Sequence, residues 1–421
     1  MKTQWDLPGF NLNLSSLFQN GPTLPAAAQF QAHHTALRGK FDGPVGFYNL
    51  PAKLVETEPE CLKAAVKKLR GEYNAALVLG IGGSYLGAAS AVDAVGTPDF
   101  PLVWVSNIDP AAIARAKAHL KNRHVATIII SKSGNTTETL AAFYHLSETL
   151  DPKGFVVITD PSSGELRKMA TENNWAAMEV PPAIGGRFSV LTPVGLLPGA
   201  LGGVDTSALI RGAAALRSEL EKTPADQNPA YVFAAALHGW DAQRNHSLHY
   251  LMPYWSNLRL FAEWYVQLWG ESLGKKTPAG KRIGPTAVAA LGTTDQHSLL
   301  QLFTEGPLNK VVGFVDVESQ GPATAVGHPE FAPGKSDYLC RHTFEKISHE
   351  ALVATQQSLT NAQVPTYRLT VPQLDAHALG ALYFFFETAT AFAGELYGIN
   401  AFDQPGVEES KKLLHAALSH S

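Results

Sequence analysis

The run Val125-Ala-Thr-Ile-Ile-Ile-Ser-Lys-Ser-Gly-Asn-Thr-Thr-Glu-Thr-Leu140 changes character twice. Residues 127–130 are all β-branched, the composition of a buried strand. Residues 131–137 form a tight loop dense in hydroxyls. From Glu138 a helical pattern begins, with Leu140, Phe143, Tyr144 and Leu146 as its apolar members. A helix N-terminus offers unpaired N–H groups and partial positive charge, so it holds anions well. Two readings follow. Ser131, Ser133, Thr136 and Thr137 line a phosphate pocket, or Asn135 and Glu138 form a capping box on an ordinary helix.

Working outward, residues 75–79 make a second strand and feed Gly80-Ile-Gly-Gly-Ser-Tyr-Leu-Gly87. Further strands are expected at 102–105 and 155–158, with helices at 59–69 and between the strands. Strands alternating with helices imply crossover units and a parallel sheet covered on both faces. Residues 185–203 break the rhythm with Gly and Pro, and then it restarts. Helices are expected at 207–220, 231–240 and 258–268, and strands at 248–252, 286–291, 311–317 and 366–370. A basic Gly/Pro loop spans 278–285. The chain therefore reads as α/β with two tandem units, 51–200 and 201–393. Before them lies an extension, 1–50, with a helix near 26–37. After them comes a tail, 394–421, ending in a helix over 407–418.

Composition narrows the function. The 421 residues are 45% apolar, enough for sizeable cores, and carry a formal net charge of -4. That charge gives no support for a nucleic-acid or anionic-membrane partner. Cys61 and Cys340 cannot make a disulfide framework and read as thiols of a reducing compartment. The N-terminus lacks the apolar core of a signal peptide, and no run of ~18 apolar residues occurs. Residues 379–386 are apolar but short and read as a buried helix beside Glu387. A cytoplasmic protein is expected.

Several motifs fail on inspection. Gly80-Ile-Gly-Gly-Ser-Tyr85 has tyrosine where a dinucleotide fingerprint needs its third glycine. Pro333-Gly-Lys-Ser336 ends like a P-loop, but Pro329 stands at the required earlier glycine. His246 and His249 have metal-like spacing without a third ligand nearby, so satisfied structural histidines are expected. No Gly-x-Ser-x-Gly elbow is present. Neither a nucleotide, a metal nor any other cofactor is expected.

Two loops remain, 80–84 and 131–137, each following a strand of the first unit. In an open parallel sheet, ligands lie at the carboxyl ends of the strands. Both loops are therefore expected to face one phosphate. Gly83 lets backbone approach the ligand, or simply permits a tight turn. Ser84 adds a hydroxyl.

Six pieces occur in order: Gly80–Gly87, Ser131-Lys-Ser-Gly-Asn-Thr-Thr-Glu138, Gly185-Gly-Arg-Phe-Ser189, Gly270-Glu-Ser-Leu-Gly-Lys275, Asp295-Gln-His297 and Phe402-Asp-Gln-Pro-Gly-Val-Glu-Glu-Ser-Lys411. Together they resemble the glucose-6-phosphate isomerase family over residues 45–412. The resemblance implies two sugar-isomerase-type α/β domains, each a parallel sheet flanked by helices. It implies a homodimer whose sites are built partly from the neighbouring subunit. It also implies interconversion of glucose 6-phosphate and fructose 6-phosphate in glycolysis and gluconeogenesis, by ring opening and an enediol.

Residue by residue, the resemblance makes Glu271 the base moving a proton between C2 and C1. It makes His297 the ring-opening residue, reaching the other subunit's site, and Lys411 its helper at the ring oxygen. Arg187 stands beside the enediolate, Gln267 and Gln404 line the sugar, and Glu138 orients the histidine. Gly83, Ser84, Ser131, Lys132, Ser133 and Thr136 fall at the phosphate end. Asn135 departs from the family pattern.

Each assignment has a plainer rival. Glu271 at i,i+4 from Lys275 suits a solvated ion pair. His297 suits a helix start, Arg187 suits carbonyl binding, and Lys411 suits a surface position. A non-catalytic sugar-phosphate sensor would keep the hydroxyl loops but would have no need of Glu271, His297 and Lys411 together. An amidotransferase isomerase domain would need an attached glutaminase with an N-terminal cysteine, and the chain begins Met1-Lys2.

Overall fold

The computed structural model describes residues 2–57, 60–97, 99–329, 331 and 334–419. Pro59, at the expected start of a helix, and Pro333, in the P-loop-like run, lie outside these residues.

Five strands of the first unit form one parallel sheet in the order Leu102–Val105, Ala75–Leu79, Val125–Ser131, Phe155–Thr159, Ala176–Glu179. The three inner strands are buried at every position, as their unbroken apolar runs require. In chain order this is 2-1-3-4-5. The order reverses between Ala75–Leu79 and Val125–Ser131, and a doubly wound sheet opens its ligand crevice at that point. Residues 80–84 and 131–137 leave these two strands at their carboxyl ends.

A second sheet repeats the scheme. Its parallel strands run Thr286–Ala289, Leu248–Pro253, Lys310–Val317, Thr366–Val371, again 2-1-3-4 in chain order. The fifth place is taken differently. Phe10–Asn13 pairs antiparallel with Thr366–Val371, and Gln4–Leu7 pairs antiparallel with Phe10–Asn13. The first residues are thus a hairpin on the edge of the second sheet, where the sequence showed only weak periodicity. Four-residue strands with so few buried positions leave little pattern to read.

Apolar helices fill the interior. Ala376–Tyr397 is buried from Ala376 to Gly394 apart from His377 and packs against Thr206–Lys222 and Pro229–Arg244. Phe384, Phe385 and Phe386 are fully buried, each contributing roughly 1.5–3 kcal/mol by transfer from water. Glu387 is buried with them, and desolvation pushes its carboxyl well above the usual range.

Three local readings need correction. The break at 185–203 contains a helix, Pro193–Leu201, which begins with Pro at its first position and tolerates Pro198 inside. The basic loop at 278–285 contributes a strand, Arg282–Ile283, paired with Lys275–Lys276. Tyr144, taken as an apolar-face residue, is 52% exposed, while Phe143 and Leu146 carry the buried face. Among the described residues, no helix is long and apolar enough to cross a membrane.

Candidate active site

The helix after the first hydroxyl-rich strand runs Thr137–Ser147, and its N-cap Thr136 makes no side-chain cap bond. Instead Thr136 Oγ1 meets Ser131 Oγ at 2.7 Å, and Ser133 Oγ lies 3.5 Å from Ser131 Oγ. Asn135 does not cap this helix either. Its Oδ1 accepts from Glu165 N at 2.8 Å, serving the neighbouring helix Glu165–Glu172. The capping-box reading fails, and the first N–H groups of Thr137–Ser147 are left open beside three hydroxyls, an anion-binding arrangement.

Lys132 behaves unlike the serines around it. Its ammonium donates to Pro182 O at 2.9 Å and to Ile184 O at 2.8 Å. Burial lowers its pKa, against an opposing pull from Asp160. The lysine thus ties the hydroxyl loop to the segment leading into Gly186–Phe188. The Gly80–Tyr85 turn reaches the same place. A Cβ on Gly83 would lie 2.4 Å from the Gly186 carbonyl, and one on Gly82 would lie 2.9 Å from Gln267 Nε2. Glycine is required at 83 because two backbones touch there. Ser84 lies half-buried on this turn, its N–H on Ile81 O at 3.1 Å.

Arg187 sits at the centre, 4% exposed. Its Nε donates to Ser272 Oγ at 2.6 Å, Nη1 to Gln404 Oε1 at 3.2 Å, and Nη2 to Ala401 O at 2.6 Å and Asp403 O at 3.0 Å. Burial lowers its pKa while Glu271 and Asp403 pull it back up. A guanidinium has five N–H donors. Four are used, and the fifth remains on Nη1, 3.8 Å from Glu271 Oε2.

Glu271 ends a π-helical segment, Gln267–Glu271, that continues the aromatic helix Arg259–Val266. Such widened turns frequently occur at functional positions. The carboxylate is 30% exposed. Oε2 accepts from Gln267 Nε2 at 3.2 Å. Among the described residues, no hydrogen bond reaches Oε1. Lys275 does not pair with the carboxylate, as the i,i+4 reading expected. Its ammonium donates to the Glu271 main-chain oxygen at 2.5 Å. Gln267 Oε1 is buried without a partner.

Two expected residues lie elsewhere. His297 is exposed on the helix Gln296–Glu305, and no hydrogen bond or ion pair joins it to Glu138, which stands half-buried in the first turn of Thr137–Ser147. Lys411 is exposed on Glu408–Ser419 and pairs with Glu408 at 2.7 Å. Within this chain neither reaches Arg187 or Glu271. Sequence reading also missed two residues. Ser272 and Lys275 stood inside a quoted motif, Ser272 with no signal beyond adjacency to Glu271 and Lys275 only as its i,i+4 pair. His246 Nδ1 lies 2.8 Å from Arg244 O, and both His249 ring nitrogens are engaged, with His246 O at 3.1 Å and Trp269 Nε1 at 3.0 Å.

A cleft of about 800 Å³ borders this cluster, lined by Lys275, Arg282, Asn400, Asp403 and Glu409 among others. It shares Lys275 and Asp403 with the surroundings of Arg187 but does not include Glu271. The chemistry is therefore placed by the converging side chains rather than by this cleft.

Two sheets in tandem, parallel but for the N-terminal hairpin on the second, with hydroxyl and glycine loops at one switch point and a carboxylate against a buried arginine, define an α/β fold of the phosphosugar-isomerase type. Comparison with known proteins narrows the class. Residues 67–421 match the family model for phosphoglucose isomerase. A glucose-6-phosphate isomerase from Carboxydothermus hydrogenoformans is 36% identical over 93% of this chain and 88% of its own length. The crystal structure of a hypothetical protein from Thermus thermophilus superposes with a TM-score of 0.86 at 33% identity, covering 93% of this chain and 95% of that one. That of a glucose-6-phosphate isomerase from Chlamydia trachomatis shares the fold, with a TM-score of 0.79 at 21% identity, covering 99% and 90%. The chain belongs to the phosphoglucose isomerase family.

Proposed function

We propose that this protein reversibly isomerises glucose 6-phosphate and fructose 6-phosphate, as a cytoplasmic homodimer with shared active sites. The observation that carries the reading is the Glu271 carboxylate, one oxygen held by Gln267 and faced by Arg187, the other open. One base with a free oxygen can take the proton from C2 and return it to C1. The negative charge that develops on the enediolate oxygen falls beside the remaining Arg187 N–H, where a preorganised donor is most effective. Gln267, which holds the Glu271 carboxylate, and Gln404, which accepts from Arg187, line the sugar pocket.

The substrate phosphate belongs at Ser131, Ser133 and Thr136, on the open N–H groups of Thr137–Ser147. Lys132 then acts as a tie between the phosphate loop and the arginine loop rather than as a phosphate ligand. Ring opening needs a proton at the ring oxygen and removal of one from the anomeric hydroxyl. His297 and Lys411 have the chemistry for it, and a second copy supplies the missing proximity. Exposed Leu302 on the helix of His297, and Leu413, Leu414 and Leu418 on the Lys411 helix, support an interface there.

The test is a coupled assay of fructose 6-phosphate conversion with a chelator present. Turnover is expected. Glu271→Gln should lower kcat by ~10²–10⁴ or more, the usual worth of a positioned acid–base group. Sugar-phosphate affinity should change only a few fold. Ordinary turnover in that variant removes Glu271 from the chemistry.

A further inference from the structure

After the Lys310–Val317 strand the chain makes an excursion that is pinched at its base. Ala325 and Thr343 form an isolated antiparallel bridge. Val326 N donates to His342 O at 3.1 Å and Phe344 N to Thr324 O at 2.9 Å, and the Glu345 carboxylate accepts from Thr324 N at 3.1 Å. Between these clamps Phe331 and Tyr338 are 84% and 60% exposed. A segment this short cannot bury a core of its own and needs another source of order.

Three side chains of metal-ligand type meet inside it. Asp337 and Cys340 lie three apart on the 3₁₀ helix Gly334–Arg341, where side chains at i and i+3 eclipse on one face. His328 arrives from the other arm, directly after Gly327, whose φ of +81° turns the chain. One donor atom from each lies within 4.8 Å of the other two, and His328 Nε2 stands 2.7 Å from Asp337 Oδ1. The second Asp337 oxygen accepts from Arg341 Nη2 at 3.2 Å. That is the outer partner which orients a ligating carboxylate.

We propose that His328, Asp337 and Cys340 bind a zinc-type divalent ion that staples the two arms of the excursion. Imidazole, thiolate and a single carboxylate suit zinc, whereas magnesium and calcium prefer all-oxygen shells. Water completes a tetrahedral shell. On binding, neutral His328 ligates through Nε2, the Asp337 carboxylate through Oδ1, and the Cys340 thiol releases its proton, so about one proton leaves per ion. None of the three touches Arg187 or Glu271, and no step of the isomerisation runs through the ion.

The test uses full-length protein stripped with a chelator and titrated with Co²⁺ or Zn²⁺ alone. One Co²⁺ per chain should give a sulfur-to-cobalt charge-transfer band that Zn²⁺ displaces. Cys340→Ser should abolish the band, and Cys61→Ser should leave it unchanged. Arg341→Met, which spares all three ligands, should weaken binding by roughly 10- to 100-fold. Zinc should also shield Cys340 but not Cys61 of the unmutated protein from alkylation, a readout that needs no variant to fold. A band that survives Cys340→Ser, a stoichiometry near zero, or equal alkylation of Cys340 with and without zinc overturns the proposal. His328, Asp337 and Arg341 are then an ion cluster only.

Discussion

At Glu271 the carboxylate and the main chain are held by different cations. Arg187 faces the carboxylate, and the Lys275 ammonium holds the carbonyl at the end of the π turn. Burial, and after it Arg187, push the Lys275 pKa down to about 8, against Asp403 and Glu271. The sign follows. Below pH 8 the ammonium and its charge-assisted bond are present, and as pH rises through 8 the charge is lost and the bond weakens. We expect kcat to fall along an alkaline limb near pH 8. Lys275→Arg should shift that limb upward, because guanidinium does not titrate there. Lys275→Met should have a low kcat without the limb, at nearly unchanged KM. A wild-type profile in Lys275→Met would show that the lysine does not position the base. Both residues were visible in one short motif. Which atom the lysine grips was not, because i,i+4 spacing is equally compatible with a side-chain pair.

Loops, rather than helices or strands, assemble the proposed site. Ser131 and Thr136 hold each other, Lys132 reaches Pro182 and Ile184, and Gly83 lies on Gly186. If the hydroxyls grip a phosphate, Ser133→Ala with Thr136→Ala removes charge-assisted bonds worth ~1.5–3 kcal/mol each. Affinity for the phosphorylated sugar should drop by roughly 10- to 100-fold per bond, with little change for the free sugar. Equal losses in a binding titration would contradict the assignment. Gly83→Ala tests the join between loops. Its Cβ meets backbone at 2.4 Å, so the arginine loop must move. A displacement near 1 Å costs about 10²-fold in turnover, and thermal unfolding should shift far less than kcat. Normal turnover would mean that the two loops adjust independently.

For the whole molecule the proposed dimer makes a sharp prediction. If His297 serves the partner's site and Glu271 its own, His297→Ala and Glu271→Gln proteins are each inactive. Mixed through unfolding and refolding, they should recover about a quarter of wild-type activity, since half the dimers are hybrids with one intact site. No recovery would confine each site to a single chain. The sequence alone determined the alternation of strands and helices, the two hydroxyl and glycine loops, and the six motifs that mark the family. Those features are local, written in periodicity and in residues spaced a few apart. Tertiary structure decided what is joined across distances from 30 residues to most of the chain. It folded the N-terminal hairpin onto the second sheet, turned Asn135 toward a neighbouring helix, and set Arg187 among Ser272, Ala401, Asp403 and Gln404. It also left His297 and Lys411 on the surface. A buried charge takes whatever donors and acceptors the packed chain brings to it, and one-dimensional spacing carries no record of which those will be.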